Sequence, residues 1–299
     1  NDAVAGAGTD LLVSANIRLG TLTKTGAGTM ELTVANGYTG GTAINGGTLL
    51  VSGASGALGT GTITLGASGT LEFAASTNGK TISQNITGAG AIIKNGTGGN
   101  RYNFSGNNSG FTGTYTQTGA QTGFTSATAG SASAGYVLNG TYFVSNVGAA
   151  TLKFGALSGS ALHWNDSGAG STTTLEVGGK GIDTTFSGNI GSGTNGAATA
   201  LTKTGTGKLT LSAGNSYGGA TIINGGTLAL TGSGTINNSS SITLAGGAGF
   251  DVSAVSFTLG FGKTLGGTGS VTGSFAVASG GIVSPGTAGS GSLTAHNDF

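Results

Sequence analysis

Residues 22–53 read LTKTGAGTMELTVANGYTGGTAINGGTLLVSG, and residues 201–232 read LTKTGTGKLTLSAGNSYGGATIINGGTLALTG. Eighteen of the 32 aligned positions are identical at a constant offset of 179 residues. A block that returns this closely is one structural unit used more than once, the mark of a repeat architecture.

Within the block, apolar residues alternate with small polar ones: Met30, Leu32 and Val34, then Leu49 and Val51, matched by Leu209, Leu211, Leu228 and Leu230. A period of two predicts strands with one dry face. Between the runs lie Asn36-Gly37 and Gly40-Gly41, then Asn45-Gly46-Gly47, with Asn215 and Asn224-Gly225-Gly226 in the second copy. Asn and Gly enter positive φ at low cost, so each strand is predicted to end in a tight corner. Short strands and Gly/Asn corners suit either a hairpin meander or the coils of a solenoid, and Asn-Gly-Gly is by itself a hairpin signal. Recurrence of the whole block, corners and strands together, favours stacked coils that pair their backbones with the coils above and below.

The block resembles the passenger-associated β-strand repeat of autotransporters, the self-secreting surface proteins of Gram-negative bacteria. The resemblance rests on Leu-Thr-Lys-Thr-Gly-x-Gly at 22–28 and 201–207, the Tyr/Gly/Thr turn at 38–42 and 217–221, and Ile-Asn-Gly-Gly-Thr-Leu at 44–49 and 223–228. A degraded third copy is expected from Ile93-Lys94-Asn95-Gly96-Thr97-Gly98. Residues 280–286, GGIVSPG, followed by Gly291-Ser292-Leu293-Thr294, are similar to the Pro-Gly coil that often follows such repeats. The resemblance implies an all-β, right-handed parallel β-helix on or outside the cell surface. No signal peptide and no barrel-sized segment is visible in the sequence, so the expectation is a mature passenger-like chain without its barrel.

The chain has 299 residues, 65 of them Gly, with one Pro, no Cys and a formal net charge of +1. Gly does not recur at every third position, which excludes collagen. Leu, Ile, Val and Phe make up 63 residues, a thin core by globular standards, but disorder at that level requires high net charge. Ten basic and nine acidic residues are spread without runs, which argues against a nucleic-acid partner. No apolar run approaches the ~20 residues of a spanning helix, so no membrane insertion is expected.

Along the chain, one strand is expected from Leu11 to Leu19, with Leu11, Val13, Ala15, Ile17 and Leu19 on one side. Repeat units follow at 22–73 and 201–252, the first closing on Ile63, Leu65, Leu71 and Phe73 and the second on Ile242, Leu244, Phe250 and Val252. The middle, 80–200, loses the motif and gains Tyr102, Phe104, Phe111, Tyr115, Phe124, Tyr136, Tyr142, Phe143, Phe154 and Trp164. These aromatics are expected to fill wider coils, the alternative being an exposed face for a glycan or a partner. Residues 116–135 are expected to form a loop that leaves the stack. The terminal coil covers 264–294, and one elongated domain is expected over 1–299.

Few residues suggest chemistry. Residues 246–254, GGAGFDVSA, fit most of the calcium nonapeptide but fail at Ser253 and stand alone, so Asp251, like Glu72 at the same offset, is read as a solvent-facing strand residue. His163-Trp164-Asn165-Asp166 is the densest polar cluster and is read as a surface loop; His296 lies in the tail. Asp166 and Asp183 have the spacing nearest to a carboxylate pair, which glycoside cleavage requires within about 10 Å. Lys24, Lys94 and Lys203 share one motif position and are read as stems along a coil edge with the ammonium in water. Eight Asn-x-Ser/Thr triplets are given no meaning in so Ser/Thr-rich a chain. No catalytic, cofactor-binding or metal-binding residue is assigned. The expected role is structural and non-enzymatic, with self-association end to end, the alternatives being a monomeric adhesin passenger and a β-helix carbohydrate-active enzyme.

Overall fold

A computed structural model describes residues 8–53, 58–74, 80–96, 101–193, 195–286 and 292–296. Positions 97 and 98 of the expected third copy, and 287–291 within the Pro-Gly coil, lie outside the described residues. The fold is all-β, a parallel β-solenoid, in two compact units, Asn1–Phe143 and Val144–Phe299.

In the first unit one row of strands runs Leu11–Val13, Thr29–Leu32, Gly47–Val51, Gly69–Phe73, Ala91–Lys94, Thr114–Gln117 and Ser131–Leu138. Their register stacks Met30, Leu49, Leu71, Ile92, Tyr115 and Tyr136 in one column. A second column stacks Leu32, Val51, Phe73, Lys94, Gln117 and Leu138. A second row consists of Leu22–Lys24, Thr42–Ile44, Ile63–Leu65 and Ile86–Gly88. A third holds Lys80–Ile82, Arg101–Phe104 and Gln121–Phe124. All these ladders are parallel, which decides against the hairpin meander that Asn45-Gly46-Gly47 left open.

In the second unit the strands Thr151–Gly159, Thr172–Val177, Ala198–Lys203, Thr221–Ile223, Ser241–Leu244, Thr264–Gly267 and Ile282–Pro285 stack in parallel. Beside them run Thr184–Phe186, Lys208–Leu211, Thr227–Leu230, Gly249–Asp251, Ser270–Thr272 and Thr294–His296. Inward columns are aliphatic and aromatic, such as Leu209, Leu228, Phe250 and Val271. Each fully buried side chain of this size contributes about 1.5–3 kcal/mol of transfer free energy. An inner strand such as Ala198–Lys203 is paired on both sides, with Thr172–Val177 and with Thr221–Ile223, so its backbone groups find partners in both neighbouring coils.

Two expectations change. The strand expected over 11–19 is only Leu11–Val13, and Leu11 and Leu19 are exposed. Period-two patterning does not measure how long a strand continues before a corner intervenes. Residues 116–135 do not leave the stack, because Thr114–Gln117, Gln121–Phe124 and Ser131–Leu138 carry the coil through them. Their small residues are corner and wall, not excursion.

The aromatics of the middle are core: Tyr102, Phe104, Phe111, Tyr115, Phe124, Tyr136, Phe143 and Phe154 are buried. In the first unit they pack ring on ring, Phe73 against Tyr102 at 5.1 Å, Phe104 against Tyr115 at 5.4 Å and Tyr115 against Tyr136 at 5.9 Å. Rings take the place of aliphatics in the column that runs from Met30 through Ile92 to Tyr115 and Tyr136. An exposed aromatic face is therefore not what this segment builds, although Trp164 is partly exposed and Tyr142 half-buried.

Candidate functional site: the repeated corner and a buried polar column

The corner after Leu22–Lys24 begins at Thr25-Gly26, where Gly26 has a φ of 79°. That left-handed step, natural for glycine, turns successive carbonyls toward the interior. Lys24 Nζ donates to Thr25 O at 3.0 Å, Gly26 O at 2.9 Å and Gly46 O at 3.1 Å. Lys203 Nζ repeats this with Thr204 O at 2.6 Å, Gly205 O at 3.1 Å and Gly225 O at 3.1 Å. Two acceptors come from the lysine's own corner and the third from the next coil. An ammonium has three donors, and here all three are used.

The lysines are thus not edge stems with wet tips: Lys24, Lys94 and Lys203 are all buried. The stem of Lys203 continues the column Val177, Lys203, Ile223, Leu244. Burial pulls the Lys203 ammonium below its ordinary range, with Asp183 opposing, and burial does the same to Lys94. Lys94 donates to Asn95 O at 2.6 Å and faces the Tyr102 ring at 5.0 Å. It lies between Phe73 and Gln117 whereas Lys24 neighbours Ile44, so these two lysines stand in different rows.

Other residues repeated in both copies also work inward. Asn36 Oδ1 accepts from Ile17 N at 2.7 Å while its Nδ2 donates to Val34 O at 3.0 Å. Asn215 does likewise with Ile190 N at 2.9 Å and Ala213 O at 2.9 Å. Each buried amide stitches a corner to the preceding coil. Tyr38 and Tyr217 are fully buried, their hydroxyls hydrogen-bonded to Thr42 Oγ1 at 2.7 Å and Thr221 Oγ1 at 2.8 Å. Gly47 and Gly226, with φ of 63° and 60°, sit where corners touch: a Cβ on Gly226 would stand 2.2 Å from Gly207 O.

In the second unit, His163 lies not on a surface loop but inside, on the strand Leu162–Asn165, with 3% of its surface exposed. Its Nδ1 is 2.9 Å from Gly191 O, and its Nε2 is 2.9 Å from Ser145 Oγ. A carbonyl only accepts, so Nδ1 carries the proton and the Ser145 hydroxyl donates to Nε2. Burial lowers the imidazole pKa to about 4, and the Gly191 carbonyl works against that shift. The same carbonyl accepts from Thr199 Oγ1 at 2.8 Å. Asn165 Nδ2 donates to Ala198 O at 2.6 Å, Thr173 Oγ1 to Gly148 O at 3.0 Å, and Ser167 Oγ accepts from Val147 N at 3.0 Å. Ser145 and His163 have the hydrogen bond of a nucleophile and its base, but both are closed off from solvent. What the arrangement does is satisfy polar groups across several coils. Sequence reading missed Ser145 and underrated Asn36 and Asn215, although the recurrence of the asparagine at the repeat offset was a signal.

The remaining candidates are occupied locally. Asp251 Oδ1 accepts from Ser253 N at 3.0 Å and Ser253 Oγ at 2.6 Å, while Asp183 Oδ1 accepts from Lys208 N at 2.7 Å. Glu72 Oε1 accepts from Asn95 Nδ2 at 2.7 Å. Among the described residues no three His, Cys, Asp or Glu group as a metal would require. The cavity between Phe104, Phe111, Tyr115, Phe124 and Tyr136 measures about 10 Å³, room for one water at most.

Architecture and corners together define the class, a parallel β-solenoid whose repeated residues clamp neighbouring coils. The passenger-associated-transport-repeat family model matches residues 22–51 and 201–230, the two stretches that carry the lysine corner, the buried asparagine and the buried tyrosine. The chain carries two copies of that repeat, consistent with an autotransporter-type passenger, and the family implies a secreted or surface protein. No curated protein and no solved structure matches the chain.

Proposed function

We propose that the chain is a structural scaffold displayed outside the cell, and that its copies stack end to end. The observation that carries the structural reading is the direction of the repeated side chains. Lys24, Asn36, Tyr38 and Thr42, and their counterparts Lys203, Asn215, Tyr217 and Thr221, are all buried. A repeat that served recognition would hold side chains toward solvent at regular intervals; this one spends its identity on the column itself.

Two features support stacking. Seven of the eleven exposed large apolar side chains among the described residues lie in the first coil (Leu11, Leu12, Leu19) or the last coils (Phe261, Val277, Ile282, Val283). Apolar surface gathered in this way favours burial against a partner. The rows also correspond. Leu11–Val13 pairs with Thr29–Leu32, the counterpart at the repeat offset of Lys208–Leu211, and the row of Lys208–Leu211 runs on to Thr294–His296. Leu11–Val13 of one copy laid beside Thr294–His296 of another continues the same parallel ladder, a heterologous contact that does not close.

Electron microscopy and sedimentation over a range of concentrations test this. Particles growing in steps of one subunit are expected, with Leu11→Lys combined with Leu12→Lys returning them to single subunits. Particles of one subunit's size at every concentration would sink the stacking reading.

A further inference from the structure

We propose that Lys203, and Lys24 in the first copy, are register keys: buried ammonium groups whose carbonyl acceptors exist together in one alignment of successive coils only.

A parallel stack rich in Gly, Thr and Ser has little in its side chains to fix alignment. In the pairing of Ala198–Lys203 with Thr221–Ile223, Lys203 lies opposite Ile223 and Leu201 opposite Thr221. Both Thr221 and Ile223 face inward, so a shift by two residues keeps every side chain on its proper face and lets the ladder bonds re-form. Aliphatic columns tolerate such a shift. The ammonium does not. Thr204 O and Gly205 O travel with the lysine, but Gly225 O belongs to the next coil. A two-residue shift carries Gly225 about 6.6 Å along the strand, and the buried ammonium loses its third acceptor. The neighbouring glycine enforces the same alignment, since Gly226 packs against Gly205 O and Gly207 O with no room for a Cβ. The first copy has the same arrangement, with Gly46 O as the acceptor from the next coil and Gly47 packed on Gly26 O and Gly28 O. A buried polar group that specifies alignment, with little or no gain in stability, has its precedent in the asparagine that sets coiled-coil register.

The inference is independent of the stacking of copies, and the absence of cysteine from the chain makes it testable by cross-linking. Cysteine pairs at 202 and 222 report the native alignment, because Thr202 pairs with Ile222. Pairs at 202 and 220, and at 202 and 224, report shifts by two in either direction. With Lys203 present, mild oxidation is expected to close the 202–222 pair alone. With Lys203→Met, which keeps the apolar stem, the shifted pairs are expected to close severalfold above background while the melting midpoint stays level or rises. Lys24→Met, with the native pair 23–43 and the shifted pairs 23–41 and 23–45, repeats the test in the other unit. Exclusive native closure in both methionine variants overturns the proposal. So does failure of both to fold, because a group that selects alignment leaves a folded, heterogeneous stack when it is removed.

Discussion

His163 shows how one side chain couples the core of its unit to pH. Its imidazole is neutral inside the protein, where burial pushes its pKa down to about 4 from the ordinary 6.5. As pH falls below the unfolded value, the unfolded chain takes up a proton before the native one does, so stability declines from about pH 6.5 to about pH 4 and then levels. The shift corresponds to roughly 3 kcal/mol across that window. Urea unfolding at stepped pH is expected to show this slope, and His163→Gln to flatten it; equal slopes in the two proteins would deny the histidine this role. Asn215 makes a different case, since its Oδ1 is the acceptor for the buried Ile190 amide. Asn215→Ala orphans that donor and is expected to lower stability by about 1–3 kcal/mol, read as a drop in unfolding midpoint. The repeat offset pointed to Asn215, but nothing near His163 in the sequence distinguishes an inward imidazole from a surface one. That depends on Ser145 and Gly191, 18 and 28 residues away.

At the scale of the element, strands and corners differ in how much they tolerate. Gly226 has left-handed backbone, and an added Cβ meets Gly207 O at 2.2 Å and Gly205 O at 2.7 Å. Gly226→Ala is therefore expected to cost more than the ~1–3 kcal/mol of backbone strain alone. Gly218 has nothing within 4 Å of the same added atom, and Gly218→Ala is expected to leave the thermal midpoint within a degree or two. Similar losses at both positions would show that the corner contact does not matter. Strand existence was legible from alternation, as Ile63, Leu65, Leu71 and Phe73 are buried as their parity required. Strand length was not: Leu11–Val13 stops early and 116–135 stays in the wall, because alternation records which way side chains point and not where the chain turns.

At the scale of the whole molecule, stability is distributed coil by coil, since most partners of a residue lie about one turn away in sequence. Hydrogen exchange within the second unit should be slowest in Ala198–Lys203, flanked by Thr172–Val177 and Thr221–Ile223, and fastest in Ile282–Pro285, whose residues are all exposed. Uniform exchange across these rows would mean that the unit opens all at once. In the first unit, Phe104 lies among Phe73, Tyr115 and Phe124, and Phe104→Ala is expected to cost about 3–5 kcal/mol through the cavity it leaves.

The order of residues alone determined a repeated unit of short strands and corners, because alternation and an offset of 179 residues are properties of the string; that the strands stack in parallel coils was decided by the tertiary structure. Which polar groups turn inward was decided only by the tertiary structure. A lysine on a Gly-rich corner reads as a solvated charge until the next coil supplies the carbonyl of Gly46 or Gly225, and a histidine beside a tryptophan reads as surface until a serine from another coil reaches its ring. Burial of a charge or an imidazole depends on acceptors arriving from a neighbouring turn, and that meeting exists only once the chain is wound.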